Sequence, residues 1–473
     1  MNWSKYQQGA FDFDIKDHNG LLINAVAGSG KSTVIEECIR RQPPLGSIGS
    51  FAFNVTIKDE MKLRLADLVH VDVRTLNGLG YLACREGLRK YIKIDRDKVE
   101  KILRFDVLNG VKDDEDKAAF YQARYWIVKM VGLCQANMLF APNYMEVFEL
   151  ADRQGIDMPT KLTETQLWGL FAETYRRCWE KTNVMSFDDQ IAMPLYYNWD
   201  LPIYTRMYID ETQDLTTAQI ELVNRAKAIC TFVGDPYQSI YSFRGADRLA
   251  IAKIRAQTTE LPLSVCYRCA KAIVRDAQQI VPHIEYWEGS PEGICDQISR
   301  KNFKPVDGDV VLCRTTAPLV KDCLARIRAG LKATVKGRDI GDGLISLLDE
   351  DDRTPSAEMV LILESKGPKG FQSDEARMAR NDKVDTIKAL AEQCATVGEI
   401  RKAIKDIFDD NEKPGVLYST IHKAKGCEWD RGFLIHPELI PHKLAKTPEA
   451  LEQERNLDYV WRTRFRKERY TVV

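Results

Sequence analysis

The stretch "NAVAGSGKST", residues 24–33, follows the apolar run "GLLI" and leads into the helix-like "TVIEECIRR". A strand that ends in a glycine-containing turn and passes directly into a helix is the setting of a phosphate-binding loop. Gly28 and Gly30 let backbone N–H groups close on phosphate oxygens, and the helix start adds the positive end of its dipole. In that setting Ala27, Gly28, Ser29, Gly30, Lys31, Ser32 and Thr33 line a nucleotide, with Lys31 reaching the β- and γ-phosphates and Ser32 placing its hydroxyl on Mg²⁺. The first position of G-x-x-x-x-G-K-[ST] is Ala25, so the pattern is relaxed by one residue. The alternative is a Gly/Ser turn without ligand, and the strand, lysine and helix together weigh against it.

A cradle binds; hydrolysis also needs a metal-bound carboxylate and a group to orient water. "RMYIDETQD", residues 206–214, offers both after a strand: Asp210 for the Mg²⁺ shell and Glu211 for the attacking water, with Gln213 and Asp214 extending the motif. Adjacent acids at a strand end also occur in solvated turns.

Outward from these two stretches, "GLLINAV", "SIGSFAF", "RMYID", "ICTFVGD", "LPLSV", "DVVLCRT", "VLYSTI" and "RGFLI" read as strands. Their apolar residues run together instead of alternating, as in a parallel sheet covered on both faces. Helix-period segments lie between them, so the fold class is α/β with parallel sheets. Residues 85–185 read as almost wholly helical, as in "ETQLWGLFAETYRRCWEK", and form an expected insertion into the first sheet domain. The polar, Pro/Gly-punctuated residues 344–411 form a second, small and mobile one.

The chain has 473 residues, enough for two or more domains. Its 68 Lys and Arg balance 69 Asp and Glu, so any polyanion site must be local. "VWRTRFRKERYTVV" is one candidate, with Arg462, Arg464, Arg466, Lys467 and Arg469 against Glu468; a solvated basic face is the competing account. Twelve scattered cysteines fit reduced thiols in a cytosol, and the lone C-x-x-C at Cys266 and Cys269 lacks partners for zinc. There is neither a signal-like start nor an apolar run of membrane-spanning length, so a soluble, cytoplasmic protein is expected.

"GDPYQSIYSFRGA", residues 234–246, places a carboxylate, an amide, two aromatics and a guanidinium in one turn. Together with "DETQD" it resembles motifs III and II of superfamily 1 helicases of the UvrD/Rep/PcrA type. "WSKYQQGA" is similar to the Q motif, "AFNVTIKDEM" to motif Ia, "LSVCYRCA" to motif IV, "YSTIHKAKGCEWD" to motif V and "ERNLDYVWRTRFRK" to motif VI, in the family's order.

The resemblance implies two RecA-like domains with ATP and Mg²⁺ in the cleft that they share. It implies Gln7 on adenine, Tyr267 stacked on the base, Arg268 and Arg464 at the γ-phosphate, Glu428 on the ribose hydroxyl and Gln238 sensing the γ-phosphate. Single-stranded DNA would meet Phe53, Thr75, Tyr241, Phe243, Thr420 and His422, with Arg244 tying motif III to the nucleotide. From the sequence alone, core packing accounts for Tyr241 and Phe243, a strand end for Phe53 and a structural role for His422. The family shows histidine where Asn77 stands, and small residues where Trp461 and Phe465 stand.

The implied domains are 1–84 with 186–256, the helical insertion 85–185, 257–343 with 412–473, and the reduced insertion 344–411. The expected activity is a DNA-stimulated ATPase that moves 3′ to 5′ on single strands and unwinds duplex junctions. The expected partners are DNA and proteins of replication, recombination or repair, no membrane is involved, and the expected state is monomeric. The alternative is an ATP-switched binding or protein-displacing module without processive unwinding; a P-loop kinase for a small metabolite leaves motifs III to VI without use.

Overall fold

The computed structural model describes residues 3–13, 20–43, 46–109, 114–154, 156, 158–159, 162–240, 249–348, 351–365, 374–410 and 414–473. These residues fall into two compact units. The first holds the chain up to Ala25 and Gly30–Leu263; the second holds Val26–Ser29 and the chain from Ser264 on.

The strands of the first unit are β1 (Gly20–Ala25), β2 (Ile48–Ala52), β3 (Val71–Thr75), β4 (Lys93–Ile94), β5 (Val184–Met185), β6 (Arg206–Ile209), β7 (Ile229–Gly234) and β8 (Thr259–Leu263). Six of them form one parallel sheet in the order β3-β2-β6-β7-β1-β8. Leu22 and Ile23 of β1 are fully buried, one in the core of each face, which is why the strand reads as an unbroken apolar run. Parallel strands end on the same edge. With β6, β7 and β1 adjacent, and Ile209 opposite Phe232 and Asn24 opposite Gly234, the residues that follow each strand emerge side by side. Phe53 and Thr75 stand at the same edge, after β2 and at the end of β3.

Two features differ from expectation in this unit. β8 pairs with β1, so the first sheet runs to Leu263 and not to residue 256. Its Pro262 has no N–H to give, which an edge strand tolerates. The interval 85–185 also holds the short parallel pair β4–β5 and a π-helical turn, Ile102–Val107, besides its helices. Those helices share a core around Trp126, Phe171 and Trp179 with Cys84, Ala192 and Met193 from outside the interval. Lys98, 1% exposed at its side chain, ties that core together by donating to Asp189 at 2.7 Å and to the Cys178 carbonyl at 2.8 Å.

The second unit contains β9 (Val265–Cys266), β10 (Glu285–Tyr286), β11 (Ile294–Ile298), β12 (Val310–Cys313), β13 (Ala333–Val335), β14 (Val416–Thr420), β15 (Trp429–Leu434) and β16 (Phe465–Val472). Its six-stranded sheet is again parallel, in the order β11-β16-β15-β12-β14-β13. Two parallel α/β units are the fold class expected. The described part of 344–411 is not a polar appendage, however. Helices Ser356–Ser365, Asp374–Ala391 and Val397–Ile407 bury Met359, Leu363, Ile387, Leu390, Ile400 and Ile404 in one core with Val311, Val335 and Tyr418 of the sheet. Apolar positions at helical spacing between the Pro/Gly stretches carried that signal.

All twelve cysteines are free thiols. Among the described residues no helix is long and apolar enough to cross a membrane.

Candidate functional site

The loop after β1 takes left-handed backbone angles at Gly28 (φ 68°) and Gly30 (φ 79°), a region that L side chains avoid. Gly30 is also the N-cap of helix Lys31–Arg40 and offers no side chain to the first-turn N–H groups. Gln7 is buried behind this turn, with Nε2 placed 3.9 Å from where a Gly30 Cβ would stand. Its Oε1 accepts the Ser4 N–H at 2.9 Å in a capping box that fixes the amide. Ser29 Oγ is buried with no hydrogen-bond partner, and Ala27 is fully buried. An orphaned hydroxyl in a glycine-lined turn fits a polar ligand there.

Lys31 Nζ lies 3.1 Å from Glu211 Oε1. Burial works against the ammonium, yet Glu211, Asp210 and Asp235 together raise its pKa. The cost falls on the acids. Burial, and then the charge of Glu211, push Asp210 up to about 7 even though its Oδ1 accepts the Glu211 N–H at 2.8 Å. Burial pushes Asp235 up to about 6 against the pull of Lys31. Three acids share one lysine, two of them, Asp210 and Asp235, buried, and an added cation would relieve them. Asp210 and the Ser32 hydroxyl are hard oxygen donors of the kind Mg²⁺ takes. Among the described residues no group of three or more His, Cys, Asp or Glu stands in metal-binding geometry.

Glu211 itself has left-handed backbone angles (φ 50°, ψ 46°), unusual for a non-glycine residue. The turn that follows is bonded into the loop after β7. Thr212 Oγ1 donates to the Val233 carbonyl at 2.8 Å. Gln213 Nε2 donates to Glu211 Oε2, and Gln213 Oε1 accepts the Asp235 N–H at 2.9 Å. Asp235 then accepts the Tyr237 N–H at 3.0 Å and Gln238 Nε2 at 2.6 Å. Gln238 is thereby joined to the lysine–carboxylate cluster through Gln213, a residue that the sequence reading left without a role. Tyr241, Phe243 and Arg244 lie outside the described residues.

Of the other expected contacts in this unit, Phe53 is 43% exposed. Thr75 Oγ1 accepts the Gly78 N–H at 3.1 Å and so caps helix Leu76–Leu88. Asn77 Nδ2 donates to the Phe187 carbonyl at 2.7 Å. Phe187, an aromatic also 43% exposed with the Arg96 guanidinium 5.2 Å from its ring, has no periodic signal in "VMSFDDQ".

In the second unit Arg268 pairs with Glu428 and donates to the Thr463 carbonyl at 3.1 Å, while its Nε is buried without a partner. Burial pushes the Glu428 carboxyl up, but Arg268 and then Arg464 bring it below its ordinary range. Arg464 is 1% exposed and donates through Nε to the Val460 carbonyl at 3.0 Å; burial and the neighbouring Arg268 charge lower it to about 10. Arg462, by contrast, is bound to Asp458 (2.9 Å) and Asp276 (2.7 Å) beside a cavity of about 440 Å³ that it shares with Trp461 and Arg469. Tyr267 is half-buried, its ring centroid 6.1 Å from that of Trp287. Thr420 is buried and caps helix Ile421–Ala424; His422 is half-buried.

The basic run 460–473 proves to be a helix end and strand β16. Besides Arg462 and Arg464, Arg466 pairs with Glu428 and Asp430, Lys467 with Asp430 at 2.7 Å, and Arg469 with Asp276. Each of these cations is paired with an acid or buried, and Arg466 and Lys467 stay more than half exposed.

Comparison with known proteins supplies a family. A family model described as the UvrD/REP helicase N-terminal domain matches residues 4–259, and one described as the UvrD-like helicase C-terminal domain matches residues 373–472. F-box DNA helicase protein 1 of Schizosaccharomyces pombe is 21% identical over 94% of this chain and 55% of its own length. ATP-dependent DNA helicase PcrA of Staphylococcus epidermidis is 26% identical over 58% of this chain and 39% of its own. ATP-dependent DNA helicase Rep of Buchnera aphidicola is 26% identical over 56% and 44%. The chain spans about half the length of the relatives it matches or less.

Proposed function

Because the chain belongs to the UvrD/REP helicase family, whose N-terminal model it matches over more than half its length, we propose that it is an ATP-dependent DNA helicase that hydrolyses ATP to move 3′ to 5′ along single-stranded DNA and to open duplex junctions. It acts as a monomer among the proteins of replication or repair. The observation that carries the reading is the bonded path from Lys31 through Glu211 and Gln213 to Asp235 and Gln238. It joins the carboxylate that faces the nucleotide to the turn preceding the aromatic stretch 241–243.

In this reading Gly28, Ser29, Gly30 and Lys31 cradle the phosphates, Gln7 reads the base and Glu211 orients the attacking water. Ser32 and Asp210 would hold Mg²⁺, which when bound neutralises charge on the β- and γ-phosphate oxygens. By the family resemblance, Tyr267, Arg268, Glu428 and Arg464 in motifs IV, V and VI also serve nucleotide binding and hydrolysis. Phe53 offers a ring to a base, and Thr75 offers its hydroxyl proton to a phosphate. ATPase assays with and without single-stranded oligonucleotides, run beside a strand-displacement assay with overhangs of both polarities, test the proposal. An ATPase rate that ignores single strands would refute it.

One observation favours a second reading, an ATP-switched module that grips DNA without processive unwinding. The helices of 356–407 are built into the second unit's own core and do not form a domain apart. Hydrolysis without displacement would select it.

A further inference from the structure

We infer that Gln213 is the positioning residue that relays the orientation of the Glu211 carboxylate to the turn 235–239, an inference that rests on the nucleotide reading of Lys31 and Glu211 above. Gln213 is 1% exposed, and its amide faces two groups of different kinds. Nε2 donates to Glu211 Oε2 and has the Asp214 carboxylate 3.4 Å away. Oε1 accepts the Asp235 N–H at 2.9 Å, and the Gln213 carbonyl accepts the Ser239 hydroxyl at 3.3 Å. Gly234 leaves the room for this, since a Cβ there would stand 2.7 Å from Gln213 Oε1.

Only the NH₂ end of an amide can meet a carboxylate, and only its carbonyl can meet a peptide N–H. The orientation of Gln213 is therefore fixed by its two neighbours, and its planar head moves as one piece. When Glu211 turns from Lys31 toward the attacking water, its hold on Nε2 changes. The Asp235 N–H at the other end is the next group displaced, and Asp235 carries Gln238 through a 2.6 Å bond. An apolar side chain at 213 breaks both ends, and one shorter by a methylene cannot span them.

The test uses the full chain. ATPase rates with and without a single-stranded oligonucleotide, and the dissociation constant of a fluorescent ATP analogue, are measured for the unmodified protein, Gln213→Leu, Gln213→Asn, Gln238→Ala and the Gln213→Leu/Gln238→Ala double variant. The relay predicts that both Gln213 variants lose at least about tenfold more of the stimulated rate than of the DNA-free rate, with nucleotide affinity within about threefold. It also predicts that the double variant is no worse than the weaker single one, since the two residues act in series. Equal losses with and without DNA, additive losses in the double variant, or failure to fold with either substitution at 213 would overturn it. If the unmodified protein is not stimulated by DNA, the helicase reading itself fails. If it is stimulated and the Gln213 variants match it, only the relay fails.

Discussion

In the first unit three carboxylates, Asp210, Glu211 and Asp235, surround one ammonium, Lys31; in the second, three guanidiniums, Arg268, Arg464 and Arg466, surround one carboxylate, Glu428. The two clusters are out of balance in opposite senses. Burial, with the neighbouring like charge, pushes acids up in one (Asp210 to about 7, Asp235 to about 6) and the Arg464 guanidinium down to about 10 in the other. In the nucleotide reading proposed above, an added cation would relieve the first cluster and an added anion the second. The comparison teaches that like charges held together, of either sign, are a store that an opposite charge relieves.

The strongest challenge is to the cationic cluster. Arg464→Lys should lower DNA-stimulated ATPase by about 10³-fold or more, the scale on which a positioned arginine acts in phosphoryl transfer. Arg462→Lys, at a residue held by Asp458 and Asp276, should stay within about tenfold. Steady-state rates that rank the two the other way would exchange their roles.

On the acidic side, Glu211→Gln should cost about 10²–10⁴-fold in turnover and leave nucleotide binding in place, because in the proposed reading it removes the group that orients water while Lys31 and the glycine turn that hold the phosphates remain. Single-turnover rates with a filter-binding control measure both.

Smaller effects follow from the stored charge. Asp210 ionises near pH 4 in an unfolded chain and near 7 in the folded one. Between those values the folded state holds a proton that the unfolded state has lost, so stability falls as pH rises through the window. Asp210→Asn should therefore raise the melting temperature of the nucleotide-free protein at pH 8 by about 3–8 °C, and by much less at pH 5. Calorimetry at the two pH values checks the sign. Smallest of all, millimolar Mg²⁺ without nucleotide should raise the melting temperature by about 1–3 °C, and the gain should vanish in Asp210→Asn.

Much of this was legible in the chain. Unbroken apolar runs in β1, β2, β6, β7, β12, β14 and β15 gave the parallel sheets, and fixed spacings gave Lys31, Asp210 and Glu211. Other parts were not. β16 reads as a solvated basic face because Arg466, Lys467 and Arg469, close together, hide a strand whose charges are paired with Asp276, Glu428 and Asp430. The helices of 356–407 read as a small, mobile insertion because polar flanks outweigh their buried faces. The hold of Asp276 on Arg462, beside that of Asp458 four residues back on the same helix, was not legible either, because Asp276 comes from a distant element.

The sequence by itself determined the cradle, the adjacent acids and the alternation of strand and helix, because these depend on neighbours in the chain: a glycine's backbone freedom, a helix start, an apolar period. Only the tertiary structure decided that β8 closes the first sheet, that Gln213 spans Glu211 and Asp235, and that Arg268 and Arg466 pair with Glu428 while Arg462 is held by Asp276. Those outcomes depend on hydrogen bonds and charges brought together from distant segments, and on burial deep enough that water cannot substitute for them.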